Sequence, residues 1–387
     1  MRTVVFDLLF AQPLGGAKFH GGGEYIKSVF YSLVKNMNPD TNLIVCYNQN
    51  KFLDEWILNE IHRLDLKIYN VETVHDIEIV LNNLAENNTI TFFTGMIYQY
   101  TNINLKKNVY TIGVCHGLRP IEKLHDLEEW RYYNGIKEWI ELARYFMKKK
   151  NINESIKDEF KSYLSKFNVV ITDSLHSEYS IKTNFPDISS KIKLFTFYAP
   201  LKHLEKEDLV AEENGYIMMI SANRWLKNSY RGICALDSLY EKGYLKDKKT
   251  KIYGNFPSRM VKKLKNPAMF EFFGYVNTEE LEKAYKGCSL FFYPTLNEGF
   301  GLPPMEAMKY GKTSVISAVS SLPEIYKDAV YYCNPYDIGE MSNRILMAIE
   351  NPISKDVIYH RVSQILEKQN NDTKKLCHLI NSGSVQL

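Results

Sequence analysis

Two carboxylates, Glu298 and Glu306, stand eight positions apart in the run LFFYPTLNEGFGLPPMEAMKYGKTSVISAVSSLPE at residues 290–324, with Gly299, Gly301 and the pair Pro303 and Pro304 between them. Carboxylates accept hydrogen bonds from hydroxyls, and glycine amides at a helix start meet anionic oxygens with no side chain in the way. The run therefore suits a polyhydroxylated, phosphorylated ligand. The positioning elements can be read from the same letters: residues 290–293 predict a buried strand, the prolines fit a first helical turn, and Gly311 can close the helix in a left-handed conformation. Glu298 is then expected on the loop and Glu306 in the first helical turn. A plain helix start, with one glutamate near the positive end of the dipole, would account for Glu306 alone but not for the whole run.

The run resembles the retaining glycosyltransferases of family 4, which have a two-domain GT-B fold and a Glu-x7-Glu signature. The matching residues are Glu298, Gly299, Phe300, Gly301, Leu302, Glu306, Ala307 and Gly311, followed by Ser320, Ser321, Leu322, Pro323 and Glu324. The resemblance implies that Glu298 contacts donor sugar hydroxyls, that Glu306 contacts the nucleotide ribose, and that the amides of Gly299, Phe300, Gly301 and Leu302 meet the sugar and diphosphate.

Arg224 and Lys227 follow the expected first strand of the second half, three residues apart in the segment SANRWLKN. An arginine fork takes phosphate oxygens bidentately and a lysine adds a compact charge, so the pair can neutralise a leaving diphosphate. Taken alone, Arg-x-x-Lys is equally the pattern of a solvated helix face. The family carries an arginine and a lysine-asparagine pair here, and by resemblance both bind the donor diphosphate.

The glycine-rich segment at 13–25 is followed by Ile26, Val29, Phe30, Leu33, Val34 and Met37 at helical spacing, which predicts a strand, a loop and a helix start. Gly21, Gly22 and Gly23 would let the backbone approach a phosphate or sugar. The segment is not a G-x-G-x-x-G fingerprint; by resemblance it corresponds to a Gly-Gly-x-Glu-like loop facing the donor across the cleft. His20 reads as a loop histidine. His116, after a strand ending near Val114, matches a family histidine near the donor sugar, but the family often has aspartate next and this chain has Gly117. A structural histidine is the alternative. Ser174 reads as a helix cap or a cleft-lining turn.

Tyr253 and Gly254, and Gly274, Tyr275 and Val276, end two expected strands where the family holds the nucleotide base; ordinary strand-ending turns are the alternative. Backbone readout does not distinguish uracil, guanine or thymine. There is no Asp-x-Asp and no metal-ligand spacing, so metal-independent transfer without a cofactor is expected, the donor being a nucleoside diphosphate sugar.

With 387 residues, 45% of them hydrophobic, the chain suits two domains of about 150 to 200 residues each. Its 48 basic and 45 acidic residues give a net charge of only +3, which argues against nucleic acid as a partner. Six scattered cysteines suggest a reducing cytoplasm, possible peripheral contact with the inner membrane face aside. No apolar stretch is long enough to span a bilayer.

Short β-rich runs alternate with helical segments, which predicts an α/β chain of the GT-B class: two Rossmann-like domains whose parallel sheets face a central cleft. Expected strands are 3–10, 43–47, 89–93, 109–114, 169–172 and 192–197 in the first half. In the second they are 216–221, 250–253, 270–273, 290–293, 314–317 and 329–332. The polar stretch 199–214 reads as a linker, giving domains 1–205, for the acceptor, and 206–360, for the donor. A tail at 361–387 crosses back, by resemblance, to the first domain. In the stretch 126–166, Trp139, Ala143, Phe146 and Met147 share one helical face. It would be either a helix packed on the core with a solvated lysine end, or an acceptor- or membrane-surface element.

The resemblance implies sugar transfer to a hydroxyl of a glycan or lipid-linked glycan, with retention, in bacterial surface polysaccharide synthesis. A sugar-nucleotide 2-epimerase on the same fold, and an inactive sugar-nucleotide-binding subunit, are the alternatives.

Overall fold

The computed structural model describes residues 2–15, 20–86, 88–133, 135–200 and 215–383. Residues 201–214 of the expected linker at 199–214, including the boundary near 205, lie outside the described residues, as do 16–19 of the glycine-rich segment and 384–387 of the tail.

Two all-parallel sheets are present. The first contains β1 (Arg2–Asp7), β2 (Thr41–Tyr47), β3 (Lys67–Asn70), β4 (Ile90–Thr94), β5 (Val109–Cys115), β6 (Val169–Thr172) and β7 (Lys193–Thr196), in the order β3-β2-β1-β4-β5-β6-β7. The second contains β8 (Tyr216–Met219), β9 (Thr250–Tyr253), β10 (Phe270–Phe273), β11 (Cys288–Tyr293), β12 (Thr313–Ser317) and β13 (Tyr331–Cys333), in the order β10-β9-β8-β11-β12-β13. Central strands such as Val4–Phe6 and Leu290–Phe292 are almost wholly buried, as a sheet covered by helices on both faces requires.

In each sheet the order reverses once, between β1 and β4 and between β8 and β11. Crossover connections leave in opposite directions at such a point and open a crevice beyond the carboxyl ends of the two strands. The loops after β1, β4, β8 and β11 are thereby singled out as ligand-facing.

Three sequence expectations need correction. The first strand stops at Asp7 rather than Phe10, because the Asp7 carboxylate accepts the Leu9 amide at 2.8 Å and turns Leu9–Ala11 into a short 3-10 helix. β8 stops at Met219, and Ser221 has a φ of 56°, outside the strand region. β3 was not anticipated, since its four residues KIYN form a half-exposed edge without apolar alternation.

The chain divides into two compact units. One comprises Met1–Leu118, Glu154–Leu204 and Leu366–Leu387, the other Arg119–Asn153 and Glu205–Ile365. A continuous domain over 1–205 is therefore not what forms, because 119–153 packs with the second sheet. There the Arg231 guanidinium pairs with Asp126 at 2.9 Å, Asn297 donates to Glu122 at 2.7 Å, and the Tyr230 amide donates to the Tyr132 hydroxyl at 2.8 Å. These partners lie about a hundred or more positions apart, which no local pattern reveals.

The long helix Ile136–Leu164 is interrupted by non-helical geometry at Lys148. Before that kink, its buried side chains are Leu142 and Tyr145, while Trp139, Phe146 and Met147 are exposed. Packing of the Trp139 face on the core is thus overturned. The last helix, Lys355–Ser382, carries Arg361, which donates to the Ile325 carbonyl in the second unit. Further along, Asp372 accepts the Tyr198 amide at 2.9 Å and Gln369 donates to the Ala199 carbonyl at 2.6 Å, both within the first unit.

Candidate functional site

At the reversal point of the second sheet, the loop after β8 delivers Lys227 and the loop after β11 delivers Glu298. The Leu296 amide donates to the Leu226 carbonyl at 2.8 Å, so the two loops are tied together. Lys227 Nζ lies 2.5 Å from Glu298 Oε1. The same Nζ donates to the Tyr293 hydroxyl at 2.6 Å, which in turn donates to Glu298 Oε1 at 2.6 Å. Thr295 Oγ1 donates to that oxygen as well, at 2.8 Å.

This geometry decides what remains for a ligand. An ammonium has three N–H bonds, and Lys227 uses two. Glu298 Oε1 receives three donors, whereas Oε2 takes no hydrogen bond among the described residues and is not buried. The site therefore presents one free carboxylate oxygen beside one free ammonium proton, held by partners that are themselves fixed. Burial, together with the Glu298 charge, pushes the Tyr293 phenol well up, so it stays protonated as a donor.

The turn after Glu298 is shaped by Gly301, whose φ of 86° is left-handed; a Cβ there would lie 2.4 Å from Leu322 Cδ2. The segment 320–326 clamps the turn. Ser320 Oγ accepts the Glu298 amide at 2.9 Å, and Ser321 Oγ shares its one proton between the carbonyls of Glu298 and Phe300, at 3.1 and 3.2 Å. The Tyr326 hydroxyl donates to the Gly301 carbonyl and accepts the Met305 amide at 3.1 Å. The second half of the sequence motif is thus the scaffold of the first. Gly299 to Leu302 lead directly into the helix Leu302–Met308.

Glu306 is the fifth residue of that helix and so sits in its second turn, not the first as expected. It pairs with Lys309 at 2.5 Å rather than with the Lys227–Glu298 group. Burial pulls the Lys309 ammonium down more than Glu306 raises it. Arg224 precedes the 3-10 turn Trp225–Lys227; its side chain is exposed and has no ion pair among the described residues. The structure ties Lys227 to Glu298 and does not bring the Arg224 side chain to that pair among the described residues.

Gly254 has a φ of 103°, and a Cβ there would stand 2.7 Å from the Ala222 amide, so the β9 loop lies directly against the β8 loop. Its own amide is shared between the Phe273 and Gly274 carbonyls at 3.0 and 3.2 Å. The Tyr253 ring stacks on Phe273 and is nearly buried, whereas Tyr275 is 83% exposed beside the half-buried Val276. Of these aromatics Tyr275 is the most exposed.

The first unit has its own group at its reversal point. The helix Gly21–Lys35 opens on the glycines, and His20 caps it, its Nδ1 accepting the Gly23 amide at 3.1 Å. His20 is therefore a cap, and the Gly23 amide is already engaged. A Cβ on Gly22 would press on Met96 Sδ at 3.0 Å, where the loop after β4 passes.

His116 follows β5, with Nδ1 2.6 Å from Asp173 and Nε2 2.8 Å from the Gly95 carbonyl. Both ring nitrogens face acceptors, which favours the doubly protonated ring. Burial lowers its affinity for a proton, but the Asp173 charge and the hydrogen bonds to Asp173 and Gly95 outweigh that, and the net shift is upward. Gly117 has a φ of 115°, a conformation that an aspartate would rarely adopt, and the carboxylate beside the imidazole is supplied instead by Asp173. Ser174 caps the helix Leu175–Asn184 through the Ser177 amide.

Sequence reasoning missed Tyr293, Thr295, Ser320 and Ser321 as functional partners. Only the last two carried a signal, as part of the run after the second carboxylate.

Residues 203–365 match the family model described as glycosyl transferases group 1. Two curated relatives from Escherichia coli match shorter stretches. The serotype-specific mannosyltransferase WbdA is 36% identical over 93 residues, 24% of this chain and 11% of that protein. The O-antigen chain mannosyltransferase B is 38% identical over 86 residues, 22% of this chain and 23% of that protein. The aligned stretch thus spans less than a quarter of either relative.

Among solved structures, sucrose-phosphate synthase from Thermosynechococcus elongatus superimposes with a TM-score of 0.64 at 12% identity, covering 99% of both chains. Anabaena HepE in complex with UDP does so with a TM-score of 0.63 at 12% identity, covering 99% of this chain and 100% of that one. At such identity the likeness speaks for the fold, which is GT-B: two parallel-sheet, Rossmann-like domains.

Proposed function

We propose that this chain is a retaining, metal-independent glycosyltransferase of the family 4 type. It moves a sugar, mannose in the first instance, from a nucleoside diphosphate donor to a hydroxyl of a glycan or lipid-linked glycan in surface polysaccharide synthesis, from the cytoplasmic side. The observation that carries this reading is the Lys227–Glu298 pair at the reversal point of the second sheet, with Oε2 and one ammonium proton left for a ligand. The match to glycosyl transferases group 1 spans both residues, and the relatives named as mannosyltransferases support the choice of sugar and product.

In this reading Glu298 Oε2 accepts from donor sugar hydroxyls. Lys227 and the exposed Arg224 offset the diphosphate charge as it develops, together with the amides of Gly299, Phe300, Gly301 and Leu302. Glu306 takes the ribose and Lys309 holds it in place. Tyr253, Gly254, Tyr275 and Val276 border the base. From the first unit, His116 is assigned to the donor sugar, and the backbone of Gly22 and Gly23 to sugar or phosphate.

No carboxylate is assigned as a covalent nucleophile. The bond from the anomeric carbon to the diphosphate oxygen breaks, the acceptor oxygen bonds to the same face of that carbon, and the departing diphosphate takes the acceptor proton. The protein supplies position and charge.

Thermal stabilisation by UDP, GDP and dTDP, followed by turnover with the corresponding sugars, tests the reading. The expected result is that one nucleotide raises Tm and its sugar is transferred with the anomeric configuration kept. An isomeric sugar formed without acceptor would assign the chain to the epimerases, and inversion in the product would remove the retaining mechanism.

A further inference from the structure

The segment before the kink at Lys148 carries an apolar stripe that the described fold leaves largely exposed. Ile136, Trp139, Ile140, Ala143 and Met147 recur at intervals of three and four, so they share one helical face, and Phe146 borders it. Ile136, Ile140 and Met147 are 79%, 61% and 77% exposed, and Trp139 and Phe146 more than two-fifths. The helix is not simply loose. Leu142 and Tyr145, on the other side, are buried, the Tyr145 ring lies 4.2 Å from His125, and the Trp139 ring lies tilted at 5.0 Å from Trp130. A well-anchored helix thus turns its greasier face outward.

Single exposed apolar side chains are ordinary; a contiguous stripe on one helix marks a contact surface. The charge beside it says what kind. Between 136 and 150 the basic side chains are Lys137, Arg144, Lys148, Lys149 and Lys150, against the acids Glu138 and Glu141 alone. Glu138 is turned to the helix start, where it accepts the Gly135 amide at 2.9 Å. An apolar stripe edged with lysine and arginine is what a helix needs to lie in the plane of a bilayer, the apolar side chains among acyl chains and the cations at anionic headgroups. No helix among the described residues is long and apolar enough to cross a membrane, so lying along the surface is the mode open to it.

We infer that the helical segment 136–150 docks this protein on an anionic phospholipid surface. The inference does not depend on sugar transfer, and its test contains no donor or acceptor, so either reading can fail without the other.

The test is flotation of the purified full chain with vesicles of phosphatidylcholine alone and of phosphatidylcholine mixed with phosphatidylglycerol. Expected is binding to the mixed vesicles, weakened by high salt. The double substitution Ile140→Asp and Met147→Asp should reduce it at least about tenfold. Lys148→Glu, Lys149→Glu and Lys150→Glu together should do the same, with unfolding temperature unchanged in both variants. Absence of binding to either vesicle, or binding undiminished in the Ile140→Asp and Met147→Asp variant, would overturn the proposal. So would concentration-dependent self-association in sedimentation that this variant abolishes, which would give the stripe to a second copy of the chain.

Discussion

Glu298 is gripped through a single oxygen, with Lys227 2.5 Å from Oε1 and the Tyr293 and Thr295 hydroxyls on that same atom, while Oε2 is left unbonded among the described residues. A carboxylate held this way cannot rotate without breaking three contacts at once, so its second oxygen is aimed. Losing a hydrogen bond to a charged group removes roughly 1.5 to 3 kcal/mol, which corresponds to about tenfold or more in rate. Lys227→Ala is therefore expected to lower kcat/KM by at least about tenfold. Tyr293→Phe should do so less severely, since Lys227 and Thr295 remain.

The same scale applies to Arg224→Ala and Glu306→Ala, each expected to cut turnover at least about tenfold if these side chains meet the donor. Steady-state kinetics decide it. Near-normal rates in both would remove them from the site, leaving Glu306 as the partner of Lys309 only.

Gly301→Ala should be destabilising as well as inactivating. The left-handed φ of 86° and a neighbour 2.4 Å from the added methyl impose a cost of order 1 to 3 kcal/mol. A lowered Tm is expected. Unchanged unfolding would mean that the turn relaxes freely and that its shape is not fixed by Leu322.

Asp7 gives a pH dependence with a definite sign. Burial, partly offset by the Thr94 and Tyr100 hydroxyls and by backbone amides, raises its carboxyl to about 6. The folded state thus holds the proton more tightly than the unfolded chain. Stability from this group is complete below about 4, the ordinary carboxyl value, and is lost as pH rises through about 6. Asp7→Asn should flatten that portion of a stability-against-pH curve; an unaltered slope would clear Asp7.

His116 has the upward shift of a base beside a carboxylate, so its contribution is present below the ordinary histidine value of about 6.5 and disappears as pH rises through the higher folded value. Asp173→Asn removes the charge that outweighs burial. Titration of the His116 ring by NMR should then give a midpoint below that of the parent protein.

Much of this molecule is legible in its letters because parallel strands are short apolar runs and the helix starts carry glycine, proline or a cap. The run from Glu298 to Glu324 was readable as one unit, down to the left-handed Gly311. What escaped depends on three-dimensional pairing. Tyr293 looked like one more core aromatic of β11, Glu306 slid one turn along its helix, and His20 became a cap because its imidazole reaches the Gly23 amide. β3 escaped because an edge strand does not need alternating apolar residues.

Five alternating stretches of chain build the two units, and the piece from Arg119 to Asn153 lies with the sheet encoded mostly after residue 205. Anyone wishing to express the second half alone would cut the gene at the obvious polar linker and discard Asp126 and Tyr132, which brace Arg231 and the Tyr230 amide. Such a fragment would start life with a guanidinium that has lost its carboxylate and a bare patch where the insertion had been. A faithful half requires residues 119–153 to be grafted back or supplied as a separate peptide.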